Sequence, residues 1–218
     1  MMNDRDEARL VQAYLTAKKV VLRSHFAAEV VAALPDPHKM QENQFLRELA
    51  WVVLSSGMAE AVVRLKFPFI SVEFLEFISA KAIADQKDEC IAGAFVHFRN
   101  KPKITAIAYA AERIAHEGFG SIQTSVIDNP IMELQKFPFI GPVTAYHLAK
   151  NLGVRTAKPD RHLVRLARVS GFADVQPFCQ LISAYIGEDI RLVDLVLWRY
   201  ATLNRHYASL FSTTSLAN

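Results

Sequence analysis

The chain contains few cysteines, with only Cys90 and Cys179 among its 218 residues. They lie far apart in the sequence, whereas an iron–sulfur cluster needs about four clustered cysteines and a disulfide framework needs several pairs. We therefore expect both to be small core residues, and we expect no metal site and no iron–sulfur cofactor.

Long apolar runs are also missing. A run such as 49–54 is far shorter than the ~20 residues that a helix needs to span a bilayer. The first ten residues, MMNDRDEARL, are polar and acidic, unlike a secretory signal. These features predict a protein with no membrane partner and a cytoplasmic location, in a bacterial-type cytosol or nucleoid.

A large net charge is absent, since the formal charge at pH 7 is only +3. The positive charge is instead concentrated, with six basic residues and a single acidic one, Asp160, between Lys150 and Arg168. A local basic patch on a nearly neutral protein suits a surface that docks on a polyanion. An ordinary solvated helix face is the alternative.

Alternation with a period of two is not found, whereas nearly every segment has helical periodicity. The sequence therefore predicts an all-α fold of short helices. The first helix is expected over 6–33, and the third is expected to stop at Phe67-Pro68, because proline disrupts a helix interior. Gly118 and Gly120 are expected to end a later helix.

The most informative segment begins with FPFIGPVTA at 137–145, which is typical of a helical hairpin. Pro138 ends one helix, Gly141 permits a close or left-handed turn, and Pro142 suits the first turn of the next helix. Free N–H groups at such a helix start favour a phosphate and bind it without reading sequence. An ordinary corner between two helices is the alternative.

Some twenty residues later, Pro159-Asp160 precedes an arginine-rich helix. An aspartate at this place is typical of a helix N-cap. A carboxylate in a basic setting, downstream of a phosphate-binding hairpin, also suggests chemistry on DNA. One side chain can hold both roles.

This combination resembles the helix–hairpin–helix superfamily of DNA glycosylases, which includes endonuclease III, adenine glycosylases and 3-methyladenine glycosylases. Residues 137–145 fill the frame of the family hairpin Leu-Pro-Gly-Val-Gly-x-x-Thr-Ala. Residues 159–165, PDRHLVR, resemble its Val-Asp-x-His pattern followed by apolar sequence and Arg, with Pro159 in place of Val. Weaker anchors extend the resemblance over about residues 45–200. It implies a two-lobed helical fold, and the boundaries expected here are 36–152 for one lobe and 1–35 with 153–218 for the other, with a cleft between them.

The resemblance further implies an enzyme of base excision repair. Such an enzyme hydrolyses the N-glycosidic bond of a damaged, modified or mismatched base that is flipped out of double-stranded DNA. Asp160 matches the catalytic carboxylate, which stabilises positive charge at the sugar and can activate water. Val143 stands where lyase members carry a Schiff-base lysine, so base removal without strand cleavage is expected.

Two further sets of residues follow from the resemblance. The expected DNA-binding residues are Phe139, Ile140, Gly141, Val143, Thr144, Lys158, Arg161 and Arg165. The candidates for the base pocket or for a wedge in the duplex are Trp51, Ser56, Met58, Tyr109, Tyr146 and His162. Each of the second set has an alternative as a core, capping or half-buried residue.

Phe139 departs from the family pattern, because it replaces the first glycine of the hairpin. It could alter the phosphate grip, or its ring could pack against another helix. The resemblance implies no cofactor but leaves room for a monovalent cation at the hairpin, and it does not indicate an oligomeric state.

Two alternatives to the enzyme stay open. One is a catalytically inactive helix–hairpin–helix protein that binds DNA. The other is a helical interaction protein with no nucleic-acid role.

Overall fold

A computed structural model describes residues 4–212 of the chain. Helices make up 75% of the structure, and no strand occurs among residues 4–212. The predicted all-α class is confirmed.

The described residues divide into two compact units. The central unit comprises residues 35–154, and the discontinuous unit comprises residues 4–34 together with 155–212. The observed division is one or two residues from the expected boundaries at 36 and 152.

The central unit contains eight of the α-helices and two short 3-10 helices, Pro37–Lys39 and Leu75–Phe77. The α-helices are α3 Glu42–Ser55, α4 Glu60–Glu73, α5 Ala80–Asp85, α6 Lys87–His97, α7 Lys101–Glu117, α8 Phe119–Asp128, α9 Pro130–Leu134 and α10 Pro142–Asn151. Their apolar faces enclose one core, built around side chains such as Phe45, Leu49, Phe74 and Ile107.

The discontinuous unit contains the other five α-helices and a C-terminal 3-10 helix, Tyr207–Phe211. The α-helices are α1 Asp4–Leu22, α2 Ala27–Val31, α11 Arg161–Val169, α12 Val175–Ile186 and α13 Ile190–Leu203. A second core fills this unit, with Tyr14, Leu163, Phe178 and Leu197 among its fully buried side chains.

The single helix expected over 6–33 is wrong, because α1 ends at Leu22 and α2 begins at Ala27. Ser24 lies in the break. Its hydroxyl donates to the Val21 carbonyl (2.7 Å) and accepts from the Phe26 N–H (3.1 Å). A serine side chain that bonds its own backbone competes with the helix, and here it ends one.

The stop expected at Pro68 is also wrong, because α4 continues through it to Glu73. Proline costs about 3 kcal/mol in a helix interior. Phe67 and Ile70 flank it and are buried in the core, and burying two such side chains stabilises by roughly 3–6 kcal/mol. The burial on this face therefore outweighs the lost hydrogen bond.

A helix that the glycine pattern did not predict, α8, begins directly after Gly118. Ile122 and Val126 lie one turn apart on it, and both are buried in the core of the central unit. Gly118 does end α7, at φ 82°, but Gly120 lies inside the next helix.

Candidate functional site

The turn of residues 135–141, between α9 and α10, is anchored to the core of the central unit. The side chains of Phe137 and Ile140 are buried. The Phe137 ring packs against Phe45, with centroids 5.4 Å apart, and the Arg113 guanidinium lies 4.4 Å from its centroid. Two inward side chains therefore hold the backbone of the turn in place.

A buried carboxylate beside the turn strengthens this anchor. Glu133 on α9 forms ion pairs with Arg113 (2.5 Å) and with Lys136 (2.6 Å). Burial raises the pKa of Glu133, but the hydrogen bonds from Lys136 and Arg113 outweigh it and hold the pKa below its usual value. Lys136 is thus committed to an ion pair and is not a free amine.

The backbone conformation of the turn differs from the expectation. Phe139, rather than Gly141, is left-handed, at φ 63°. Gly141 is extended, at φ −86° and ψ −176°. The Phe139 side chain is 46% exposed and lies at the surface of the central unit. A left-handed non-glycine residue costs roughly 1–2 kcal/mol, and the buried neighbours Phe137 and Ile140 impose this conformation.

The start of α10 offers backbone donors. The N–H groups of Gly141, Val143 and Thr144 have no hydrogen-bond partner within residues 4–212, whereas the Ile140 N–H donates to the Phe137 carbonyl (3.1 Å). Ile140 therefore supports the turn through its own hydrogen bond and side chain, and its N–H is not available to a ligand. The free N–H groups at the positive end of a ten-residue helix form a place that suits an anion.

Thr144 closes the turn through its side chain. Its hydroxyl lies 3.1 Å from the Gly141 carbonyl and 3.4 Å from the Phe139 carbonyl. The Gly141 carbonyl also accepts from the Ala145 N–H (2.9 Å), so both of its lone pairs are occupied. Of these two oxygens, only the Phe139 carbonyl keeps a lone pair for a monovalent cation. Val143, at the position of the family lysine, is exposed at the surface of the central unit and carries no amine.

The loop before Asp160 is clamped from two helices of the discontinuous unit. Gln176 on α12 binds both polar groups of the Ala157 backbone and also donates to the Thr156 hydroxyl (2.9 Å). Asp194 on α13, a fully buried carboxylate, accepts from the Lys158 N–H (2.6 Å). The loop is therefore fixed by side chains that reach it from far along the chain.

Asp160 is the N-cap of α11. Its Oδ1 accepts hydrogen bonds from the N–H groups of His162 (2.9 Å) and Leu163 (3.0 Å). Its Oδ2 accepts no hydrogen bond from any residue between 4 and 212, and the side chain is half-buried. One carboxylate oxygen thus holds the helix, and the other is left for a ligand.

The basic residues near Asp160 differ in how much charge they offer. Arg161, Arg165 and Arg168 are exposed on α11, and none of them forms an ion pair within the described chain. Arg155 pairs with Asp189 at 3.4 Å, so its charge is partly neutralised. The charge that was expected over 150–168 is therefore strongest along α11.

The contacts of His162 indicate a supporting role for this residue. Its Nδ1 lies 3.1 Å from the Tyr207 hydroxyl, and its Nε2 accepts from the Arg161 guanidinium at 3.3 Å. Burial lowers the pKa of His162; Asp160 opposes this shift, and the charges of Arg161 and Arg165 add to it. A neutral ring that accepts at Nε2 carries its proton on Nδ1, so it donates to Tyr207 and ties α11 to the C-terminal 3-10 helix.

The joint between α3 and α4 presents an exposed methionine. Gly57 is left-handed at φ 69°, and Met58 after it is 38% exposed rather than buried in the core. Lys103, a buried cation on α7, donates to the carbonyls of Leu54 and Ser56. Burial lowers the pKa of Lys103. The joint is therefore held firmly, with Ser56 as the C-cap of α3 and Met58 at the surface.

The aromatic candidates of the central unit have separate environments. Trp51 is half-buried and packs edge-on against Phe67, with centroids 5.2 Å apart. Tyr109 is half-exposed beneath the Lys87 ammonium, which lies 4.9 Å from its ring centroid. Tyr146 is half-buried on α10. Within residues 4–212, no ring contact joins these three side chains.

Four supporting residues were missed from the sequence: Lys103, Gln176, Asp194 and Tyr207. The signal was present for Asp194, because it interrupts the apolar run of α13, and a carboxylate among core residues needs a polar partner. For the other three, no local pattern shows which distant group they meet.

The described residues contain neither a candidate metal site nor a candidate membrane span. No group of three or more His, Cys, Asp or Glu side chains there is placed to hold a metal ion, and Cys90 and Cys179 are free and buried. Within the same residues, no helix combines the length and apolar character needed to cross a membrane.

Comparisons with known proteins add no further assignment. No family model, no curated protein and no solved structure matches this chain. The geometry of its own residues is therefore the basis for a functional proposal.

Proposed function

We propose that this chain is a monofunctional DNA glycosylase with a helix–hairpin–helix fold. In the proposed reaction, water attacks C1′ of a flipped nucleotide and the bond between C1′ and the base nitrogen breaks. The base departs with the bonding electrons and takes up the proton that the water gives up. The products are a free base and an abasic site in an intact strand.

The observation that carries the proposal is the state of Asp160. Its loop is clamped by Gln176 and Asp194, Oδ1 is occupied by helix N–H groups, and Oδ2 is uncommitted. A carboxylate fixed in this way can stabilise positive charge on a sugar and orient water without first reorganising. Its basic surroundings on α11 suit a substrate that carries phosphates.

The start of α10 supports the choice of DNA. The free N–H groups of Gly141, Val143 and Thr144 can bind a backbone phosphate, and contacts of this kind are independent of base sequence. Because Val143 carries no amine and Lys136 is held by Glu133, the proposal includes no covalent lysine intermediate and no strand cleavage.

The test uses the variant Asp160→Asn on a panel of duplex oligonucleotides, each with one altered base. Asparagine is as good an N-cap as aspartate, so the variant should fold like the parent while losing excision by about 100-fold or more. Asp174→Asn is the matched control, because it makes the same charge change at the N-cap of α12. Unlike Asp160, the Asp174 side chain forms no capping hydrogen bond. It should keep full activity.

Strand breaks should appear only after alkali treatment, and borohydride should trap no covalent adduct. Equal excision by Asp160→Asn and the parent would show that Asp160 has no part in the reaction. A trapped adduct would contradict the monofunctional assignment.

A DNA-binding protein without turnover is the second candidate. It is favoured by the two capping hydrogen bonds of Asp160, which already give this carboxylate a structural task. If this candidate is correct, the parent binds duplex DNA but releases no base from any oligonucleotide of the panel, and Asp160→Asn binds with equal or higher affinity.

A further inference from the structure

A cavity with a volume of about 290 Å³ lies in the discontinuous unit, between α11 and the C-terminal 3-10 helix. Arg165 and Val169 line it from α11, and Arg205, His206 and Ser209 line it from the segment after α13. None of its lining residues carries a carboxylate. The cavity therefore offers positive charge and polar donors with no acidic partner to neutralise them.

The cationic side of the cavity on α11 is preorganised. The Arg165 guanidinium lies 5.7 Å from the centroid of the Tyr207 ring, and a cation over an aromatic face is held there by the ring quadrupole. Tyr207 is itself buried and is fixed through its hydroxyl by His162. Arg165 forms no ion pair among residues 4–212, so its charge is available to a ligand.

The opposite side of the cavity is fixed by Asn204. Its side-chain oxygen accepts from the His206 N–H (2.9 Å), and its side-chain nitrogen donates to the Tyr200 hydroxyl (3.0 Å). This bend carries Arg205 and His206 to the cavity as part of a structured turn. Arg205 is exposed, and within the described chain it too forms no ion pair.

Two guanidinium groups without an acidic neighbour are chemically suited to a phosphate, which they can bind through several donors at once. Arg165 of the cavity belongs to an exposed row on α11, Arg161, Arg165 and Arg168, that extends for about 10 Å along the helix. A row of this length is longer than one small anion and suits contacts with successive phosphates of a strand.

The position along α11 links the cavity to Asp160. Arg165 and Val169 lie about 8 and 14 Å along the helix from Asp160, at 1.5 Å per residue. We propose that the cavity is a subsite for a backbone phosphate of DNA, a few nucleotides away from the nucleotide served by Asp160. The choice of DNA as the source of the phosphate rests on the proposed function.

The test compares Arg205→Gln with Arg23→Gln, both made in the Asp160→Asn protein so that no base is lost during the measurement. Arg23 is an exposed arginine of the same unit and follows directly after α1. It lies some 20 Å along the direction of that helix from Arg9, and it is Arg9 whose side chain contacts Ser212 of the cavity lining. The readout is the affinity for a fluorescent duplex oligonucleotide at several salt concentrations.

Arg205→Gln should reduce the magnitude of the slope of log affinity against log salt by about 0.9, the value for one phosphate contact. Between about 50 and about 200 mM salt, the Asp160→Asn protein with Arg205 intact should therefore lose roughly 3.5-fold more affinity than the Arg205→Gln variant. Arg23→Gln should keep the parental slope. Identical slopes for the parent and Arg205→Gln, or no duplex binding by the parent at any salt concentration, would overturn the subsite.

Inorganic phosphate is the probe for a site that binds free anions instead. If it raises the Tm of the parent but not of Arg205→Gln, while the duplex slopes are equal, the strand assignment is wrong. Base excision is measured separately, on proteins that keep Asp160. If Arg205→Gln changes the salt slope but no base is excised, the phosphate subsite is supported and the glycosylase proposal is wrong. If bases are excised but the slopes are equal, the glycosylase proposal is supported and the subsite is wrong.

Discussion

The backbone conformation of Gly141 does not require glycine. It is extended, and a methyl group built on it would meet nothing nearer than the Thr144 hydroxyl at 3.9 Å. The left-handed conformation that glycine adopts most easily is found instead at Phe139. The absence of a side chain at Gly141 therefore matters for what approaches the start of α10 from outside.

This separates folding from binding in the variant Gly141→Ala. We expect its free energy of unfolding to stay within about 1 kcal/mol of the parent, because alanine accepts this backbone conformation. Affinity for duplex DNA should fall by roughly tenfold or more, because a methyl group would keep a phosphate from the N–H groups of Gly141, Val143 and Thr144, and one charge-assisted hydrogen bond corresponds to that factor.

Urea unfolding and duplex titration measure the two effects of Gly141→Ala. Gly120→Ala is the matched control, since Gly120 is exposed in α8 with open space around it. It should be somewhat more stable than the parent, through helix propensity, with unchanged DNA affinity. Unchanged DNA affinity in Gly141→Ala as well would contradict a phosphate contact at the hairpin.

At the scale of elements, the N-terminal end of α11 is held by contacts with other parts of the chain. Its N-terminus is fixed by Asp160 and the clamped loop, and its first turn is tied to the C-terminal 3-10 helix by His162 and Tyr207. The hydrogen bond from the Arg161 guanidinium to Nε2 of His162 depends on a neutral imidazole ring, because a protonated Nε2 can no longer accept.

Stability should therefore depend on the protonation of His162. Its pKa in the folded protein is lowered, so the unfolded chain, with a value of about 6.5, binds more protons as the pH falls. This contribution to stability is complete above about pH 6.5 and is lost as the pH falls below that value toward the folded pKa. We expect the free energy of unfolding to decrease from about pH 7.5 to about pH 5.5, and His162→Gln to remove part of that decrease.

Urea unfolding at several pH values checks the role of His162. His116→Gln, at an exposed site at the end of α7, should retain the full decrease of the parent. An equal decrease in His162→Gln and the parent would show that the protonation of His162 does not contribute to the loss of stability.

Elements were predictable from sequence where a local signal was enough. Pro142 and Asp160 marked the starts of α10 and α11 correctly, because an N-terminal proline and an N-cap act within a few residues. Pro68 misled because the core around α4 outweighed a local signal. The left-handed turn at Phe139 and the clamp of Asp194 on Lys158, 36 residues away, both depend on packing between distant segments, which no local pattern contains.

At the scale of the whole molecule, each unit has its own core and its own candidate residues. The central unit holds the turn at 135–141 and the exposed Met58, while the discontinuous unit holds Asp160 and the unpaired arginines. The chain leaves the discontinuous unit after Leu34 and returns at Arg155. The all-α class was readable from periodicity. Periodicity did not show that α1 packs with α13 across most of the chain; the grouping of residues 1–35 with 153–218 was expected only from the resemblance.

The small net charge of +3 sets an expectation for the whole molecule. On a protein with little overall charge, phosphate contacts depend on local groups of basic residues. Four arginines are exposed and unpaired within the described chain beside Asp160 and the cavity: Arg161, Arg165, Arg168 and Arg205. At about 0.9 per contact, the slope of log affinity against log salt should be near −3.6 for duplex DNA. A salt titration of duplex affinity measures it. A flat response would favour the helical interaction protein with no nucleic-acid role, and a slope steeper than about −7 would require phosphate contacts far outside these four arginines.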